Sequence, residues 1–253
     1  IVCEVNPVRD QQQKPTCSRQ CLPAGIPRRE SVGGRQAKCT CFLMELAELM
    51  TYKDTTPKKK FLPLSLYELQ GKRSEQKPYV PTGELSRGAL SSRTPDEIWK
   101  LIWQGSFSGL QTNEQNRNGF FRNLLQAPIE HEAIQTGIRN LANFQKFLTV
   151  LSSRIGQEFQ LNTVAAEASV AAQIAKQWLS VAESAGVISR YKHSGETVVK
   201  RPKLFFTDTG FAAWLCKIPS AETLSKVYNS GSFFENFVIM EILKSWIHNG
   251  EEP

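Results

Sequence analysis

Four cysteines near the start of the chain, Cys17, Cys21, Cys39 and Cys41, are of a type that could hold zinc, since four thiolates complete a tetrahedral site. Their separations of three, 17 and one intervening residues fit poorly with the paired C-x2-C knuckles of structural zinc. Together with Cys3 they read as unpaired thiols in a poorly ordered segment, and not as a secreted disulfide framework. His131, His193 and His248 fall in different predicted elements, so neither a metal triad nor a nucleophile-base pair is visible. No catalytic residue and no metal ligand are assigned. No G-x-x-x-x-G-K-[ST] loop occurs to cradle nucleotide phosphates. What remains is a basic cluster. Arg190, Lys192, Lys200, Arg201 and Lys203 surround one acid, Glu196, and Lys176 precedes them. Cations so grouped can meet the phosphates of nucleic acid, and these six are the candidate contacts.

The periodicity predicts the elements that would carry them. Phe144, Phe147, Leu148 and Leu151 recur at helical spacing up to Arg154-Ile155-Gly156. A short helix follows over Thr163 to Ala168, with Asn162 as its cap, and Ser169 is placed to cap a third from Val170 to about Ala185. In that third helix Ile174, Trp178 and Val181 form an apolar stripe, and Gly186 stops it. Val187 to Lys192 and Thr197 to Phe206 are strand candidates joined across Ser194-Gly195. Three helices and a hairpin are the order of a winged helix-turn-helix, whose third helix enters a major groove while the hairpin meets the backbone. A winged helix used as a protein-packing spacer is the competing reading.

Outside residues 141–206 the pattern is uneven. Residues 1–60 are broken by prolines, a Gln run and Lys58 to Lys60, and hold five of the seven excess positive charges. Residues 61–140 form a linker and a helical, lid-like region. Phe61 to Tyr67 reads as a buried strand end turning into a short helix, and Gly71 to Ser92 as a loop. Thr94-Pro95-Asp96-Glu97 then supplies an N-cap, a first-position proline and a capping-box Glu for a helix through Trp103 that Gly105 closes. In residues 207–253, Asp208 or Thr209 and Ser220 cap two helices. A further helix over Phe233 to His248 puts Phe234, Phe237, Val238, Ile242 and Trp246 on one broad face with little to pack on. The expected class is mainly α with small β content. No apolar run approaches the ~18 residues of a membrane span and no export signal opens the chain, so the cytoplasm is the expected compartment and no membrane partner is expected.

Two separated motifs, Lys200-Arg201-Pro202-Lys203-Leu204-Phe205-Phe206-Thr207-Asp208-Thr209-Gly210 and Phe233-Phe234-Glu235-Asn236-Phe237-Val238, resemble the C-terminal domain of unknown function found in prokaryotic AAA-type P-loop ATPases. Trp178-Leu179-Ser180, Gly186-Val187-Ile188 and Trp103-Gln104-Gly105 fall where that family has similar residues. The resemblance implies a winged helix followed by a domain similar to PD-(D/E)XK nucleases, here cut to its first helices. It also implies ATP and Mg as cofactors of intact members, but none for this chain. Glu235 falls at the first acidic position of the nuclease-like fold, yet the E-x-K strand that would complete a magnesium site does not follow, which favours a structural pairing for Glu235. The expected function is that of a C-terminal ATPase fragment, truncated, diverged or mistranslated, without ATPase or nuclease activity of its own. The alternatives are a DNA-binding module and an interaction domain that joins intact ATPase subunits.

Overall fold

A computed structural model describes residues 62–80, 90–111, 116–191 and 202–251. It is mainly helical, with a two-stranded antiparallel sheet. The first helix, α1 (Leu66–Leu69), opens on a capping box between Ser65 and Glu68. Among the described residues before it, 62–65, there is no strand, so the strand end expected ahead of Tyr67 does not form there; Phe61 lies outside the described residues. Helix α2 (Pro95–Gln104) has the Thr94 and Glu97 capping box, and Gly105 ends it at φ +85°. Next come α3 (Ser108–Gln111), α4 (Arg117–Leu124), a π turn over Leu125–Ile129 and α5 (Glu130–Gln135).

The middle of the chain holds α6 (Leu141–Ser153), α7 (Leu161–Ala168) and α8 (Ala172–Ser184), followed by β1 (Ile188–Tyr191) and β2 (Lys203–Phe206). Trp178 is buried, with its ring edge-on to Phe144 and Phe147 at 5.8 and 5.6 Å. Two expected caps are absent. Helix α7 starts two residues earlier than predicted, after Gln160, with no side-chain cap from Asn162. Ser169 ends α7 in the left-handed region at φ 60°, and Ala171 precedes α8. The turn between these helices therefore closes through a strained serine and not through a serine cap.

A third lane of hydrogen bonds escaped the sequence reading. The link between α6 and α7 runs beside β2: Gly156 N donates to Leu204 O at 2.7 Å, Leu204 N to Gln157 O at 3.1 Å and Phe159 N to Pro202 O at 2.8 Å. β2 thus lies between β1 and residues 156–159.

Helices α9 (Thr209–Leu215), α10 (Ala221–Lys226) and α11 (Ser230–Ile247) complete the fold, with Asp208 and Ser220 capping the first two as expected. One apolar core runs continuously from Ile102 on α2 through Phe147 and Phe206 to Phe233 on α11. The face α11 buries differs from the one expected. Phe233, Asn236, Met240, Leu243 and Lys244 are inward, whereas Phe234 and Val238 are exposed. Nor does the helix lack a neighbour, because residues 64–79 run along it. Leu66 N donates to Glu241 Oε2, Tyr79 N to Ser245 Oγ, Trp246 Nε1 to Tyr79 O and Asn249 Nδ2 to Gln76 O.

Candidate functional site

The two resembling motifs meet in space at the outer side of β2. Ile188 pairs with Phe206 across the ribbon, and the Phe206 amide and carbonyl reach no backbone partner on the other side. Asn236 fills that position. Its Oδ1 accepts from Phe206 N at 2.7 Å and its Nδ2 donates to Phe206 O at 2.8 Å. A side-chain amide carries the same donor and acceptor as a peptide, so the fully buried Asn236 continues the lane begun by residues 156–159. At the residue before Asn236, Glu235 Oε1 accepts from Lys203 Nζ at 2.6 Å.

That contact accounts for two of the sequence candidates. Lys203 and Glu235 are 45% and 41% exposed at the side chain, so their pairing is worth little to stability, about 0.2–1 kcal/mol, but it neutralises both charges locally. Arg190 is likewise engaged. It holds Glu183 through two bonds, Nε to Oε1 at 2.5 Å and Nη2 to Oε2 at 3.0 Å, with the guanidinium 5.7 Å from the Phe159 ring. Lys176 is exposed on α8 and forms no ion pair among the described residues. Lys192, Lys200 and Arg201 lie outside the described residues, as do Cys3, Cys17, Cys21, Cys39, Cys41 and His193. The structure therefore brings Arg190 and Lys203 to one ribbon, with each cation facing an acid of the same chain.

Sequence reasoning missed a buried polar cluster at the start of α9. Asp208 is 2% exposed, and its carboxylate accepts from Ser106 N and Phe211 N, both at 2.7 Å. Burial pushes its pKa up, against the pull of those two amides and of the Lys244 and Arg117 charges. Lys244, also 2% exposed, donates to Leu64 O at 2.9 Å, Ser106 Oγ at 3.0 Å and Glu241 Oε1 at 2.8 Å. Its three N–H groups are thus all placed. The helices meet closely here. A Cβ on Gly210 would stand 2.4 Å from Gly105 N, and one on Gly105 would stand 2.5 Å from Asp208 Oδ1. The cluster is saturated by its own members and joins α2, α9, α11 and the 64–79 segment; it leaves no group free for chemistry. Its only sequence signals were Gly105, as a helix terminator, and Asp208, as a helix cap two residues before Gly210.

Among the described residues no group of three or more His, Cys, Asp or Glu could hold a metal, and no helix is long and apolar enough to cross a membrane. Cys216 is half-buried against Ser152 Oγ at 3.1 Å, and burial pushes its thiol up, away from the thiolate form a nucleophile needs. No curated protein and no solved structure matches the chain. Residues 96–222, from α2 to the start of α10, match a family described as Domain of unknown function (DUF8612). The match takes in 127 of the 253 residues, including α4, all three lanes around β2 and the Asp208 turn, and the chain belongs to that DUF8612 family.

Proposed function

We propose that the chain is a non-catalytic C-terminal portion of an AAA-type ATPase system, in which a winged helix serves as an interaction module for intact P-loop subunits. The observation that carries this reading is the junction at β2. The motif ending in Gly210 and the motif around Asn236, which together resemble that ATPase family, lock onto each other through the Asn236 clamp, 30 residues from Phe206 in sequence, and the Lys203–Glu235 pair. The strand-like lane at 156–159 adds support for the winged-helix description, since that fold places a short strand between its first two helices. Pairing of Arg190 and Lys203 with carboxylates of the chain favours a packing role over phosphate contact, because a neutralised cation releases few counterions from DNA.

The test is a sedimentation titration of the purified chain against a purified P-loop-bearing AAA-type ATPase from the same genome, with and without ATP and Mg. A saturable complex is expected, weakened when Asn236→Leu loosens the junction; absence of a complex under all these conditions overturns the reading. A second reading, DNA binding through α8 and the ribbon, draws on Lys176, which has no ion pair among the described residues. Under it the affinity for duplex DNA falls with salt, and replacing Lys200, Arg201 and Lys203 by Ala reduces the log-log slope by roughly 0.9 per lost phosphate contact.

A further inference from the structure

Arg117, the first residue of α4, is 7% exposed yet has no carboxylate partner among the described residues. Its Nε and Nη2 both donate to Trp103 O, at 3.1 and 2.8 Å, and Nη2 also reaches Gly210 O at 2.9 Å. The guanidinium carbon lies 4.0 Å from the Trp103 ring centre and 5.0 Å from that of Phe121. The side chain is therefore locked in place. Nη1 makes no hydrogen bond to any described residue. Burial lowers the guanidinium to about 10, although the Asp208 charge opposes that, and the group stays cationic at neutral pH. A structural arginine at this depth would place its fork on a carboxylate. Here two carbonyls hold one side of the fork and the other side stays open.

Arg117 lines a cleft of about 640 Å³. The volume lies within the range of small-molecule sites. Trp103 and Trp214 line it, with Leu125 and Ile218 as further apolar wall, and Lys217 lies at its rim. Trp103 is fixed by Nε1 donating to Ile218 O at 2.9 Å, and Trp214 by stacking on Phe211 at 5.9 Å and 14°. Lys217 is exposed, sits in the left-handed region at φ 57° and forms no ion pair among the described residues. Among the described residues no acid lines the cleft. Gln145, one of its lining residues, donates from Nε2 to Glu130 Oε1 at 2.5 Å.

We propose that this cleft binds a small organic anion with a flat apolar part, a carboxylate or phosphate group meeting Arg117 Nη1 and Lys217 while Trp103 and Trp214 receive the ring. The inference does not depend on any ATPase association. It is tested on the full chain by calorimetry and tryptophan fluorescence with three probes: phenyl phosphate, phenylacetate and the neutral benzyl alcohol. Saturable binding of at least one anion below about 10 mM is expected, with benzyl alcohol at least tenfold weaker. The headgroup preferred tells phosphate from carboxylate. Lys217→Ala should weaken binding several-fold, and Thr149→Trp, on the exposed cleft wall of α6, should abolish it by filling the space. Both variants leave the Arg117 anchors untouched, and unchanged melting of each confirms that the fold persists. Lack of saturation by either anion, equal binding of benzyl alcohol, or binding unaltered in both folded variants overturns the proposal.

Discussion

Replacing Lys244 by Met removes a buried ammonium while keeping most of its volume. Three acceptors then lose their donor: Leu64 O, Ser106 Oγ and Glu241 Oε1. Glu241 is 16% exposed at the side chain and keeps its bond from Leu66 N, so water and that amide recover part of its loss. Ser106 Oγ sits deeper, and the fully buried Asp208 also loses a nearby positive charge. Hydrogen bonds to a charged group are worth about 1.5–3 kcal/mol, and breaking a buried ion pair from one side costs about 3–5 kcal/mol. Discounting for the partial exposure of Glu241, the expected loss is about 3 kcal/mol. With a urea dependence of about 2 kcal/mol per molar, the unfolding midpoint should fall by about 1.5 M at unchanged slope. The double variant Lys244→Met with Glu241→Leu should regain part of this, because removing both partners leaves fewer unpaired groups than removing one. Tryptophan fluorescence in urea reads both midpoints. A single variant within about 0.5 kcal/mol of the parent would show that Lys244 is as well solvated unfolded as it is satisfied folded, and the reasoning would fail.

Further outcomes follow from other contacts. Asn236→Leu leaves the Phe206 amide and carbonyl unpaired and should destabilise by about 2–4 kcal/mol, with faster exchange of the Phe206 amide as the specific readout. Gly210→Ala forces α2 and α9 apart and should cost at least about 2 kcal/mol in thermal melts, whereas Gly186→Ala, with open space around it, should lose only its backbone share. Trp178→Ala should cost about 3–5 kcal/mol in urea unfolding. Burial raises the Glu68 carboxyl, but His248, whose Nδ1 stands 2.9 Å away off the ideal hydrogen-bond direction, and Ser65 together hold it at about 2, below its ordinary 4.5. Because the folded value is the lower one, this stabilisation is present above pH 4.5 and disappears as pH falls towards 2. An acid titration of Glu68→Gln should therefore show a shallower loss of stability over that window than the parent.

Where local chemistry decided the structure, the sequence was readable. Thr94 and Glu97, Asp208 and Ser220 cap the helices they were expected to cap, since a side-chain oxygen three residues before an orphan amide has few other uses. Of the expected apolar stripe on α8, Trp178 and Val181 are buried, whereas Ile174 is exposed. Helix α11 was misread because its apolar residues surround it, so periodicity could not choose a face, and the face that won contains Asn236 and Lys244. Both are buried for partners that lie 30 to 180 residues away, and no local pattern encodes those. The lane at 156–159 was missed for the same reason: an irregular link takes on strand pairing only when β2 arrives beside it. Arg117 went unnoticed within an Asn-rich stretch that read as linker. The DUF8612 match reaches from α2 across this stretch, so the cleft and the ribbon belong to the same family unit.

The Asn236 clamp also sets an order of events during synthesis. Thirty residues separate Phe206 from the side chain that completes its lane. At ~5–20 residues per second the ribosome needs about 2–6 s to supply them. Throughout that interval the emerging ribbon exposes one unsatisfied amide and carbonyl, an edge able to pair with a neighbouring nascent chain. Docking of α11 closes that edge, so the last long helix acts as a cap against strand exchange between copies made on the same message.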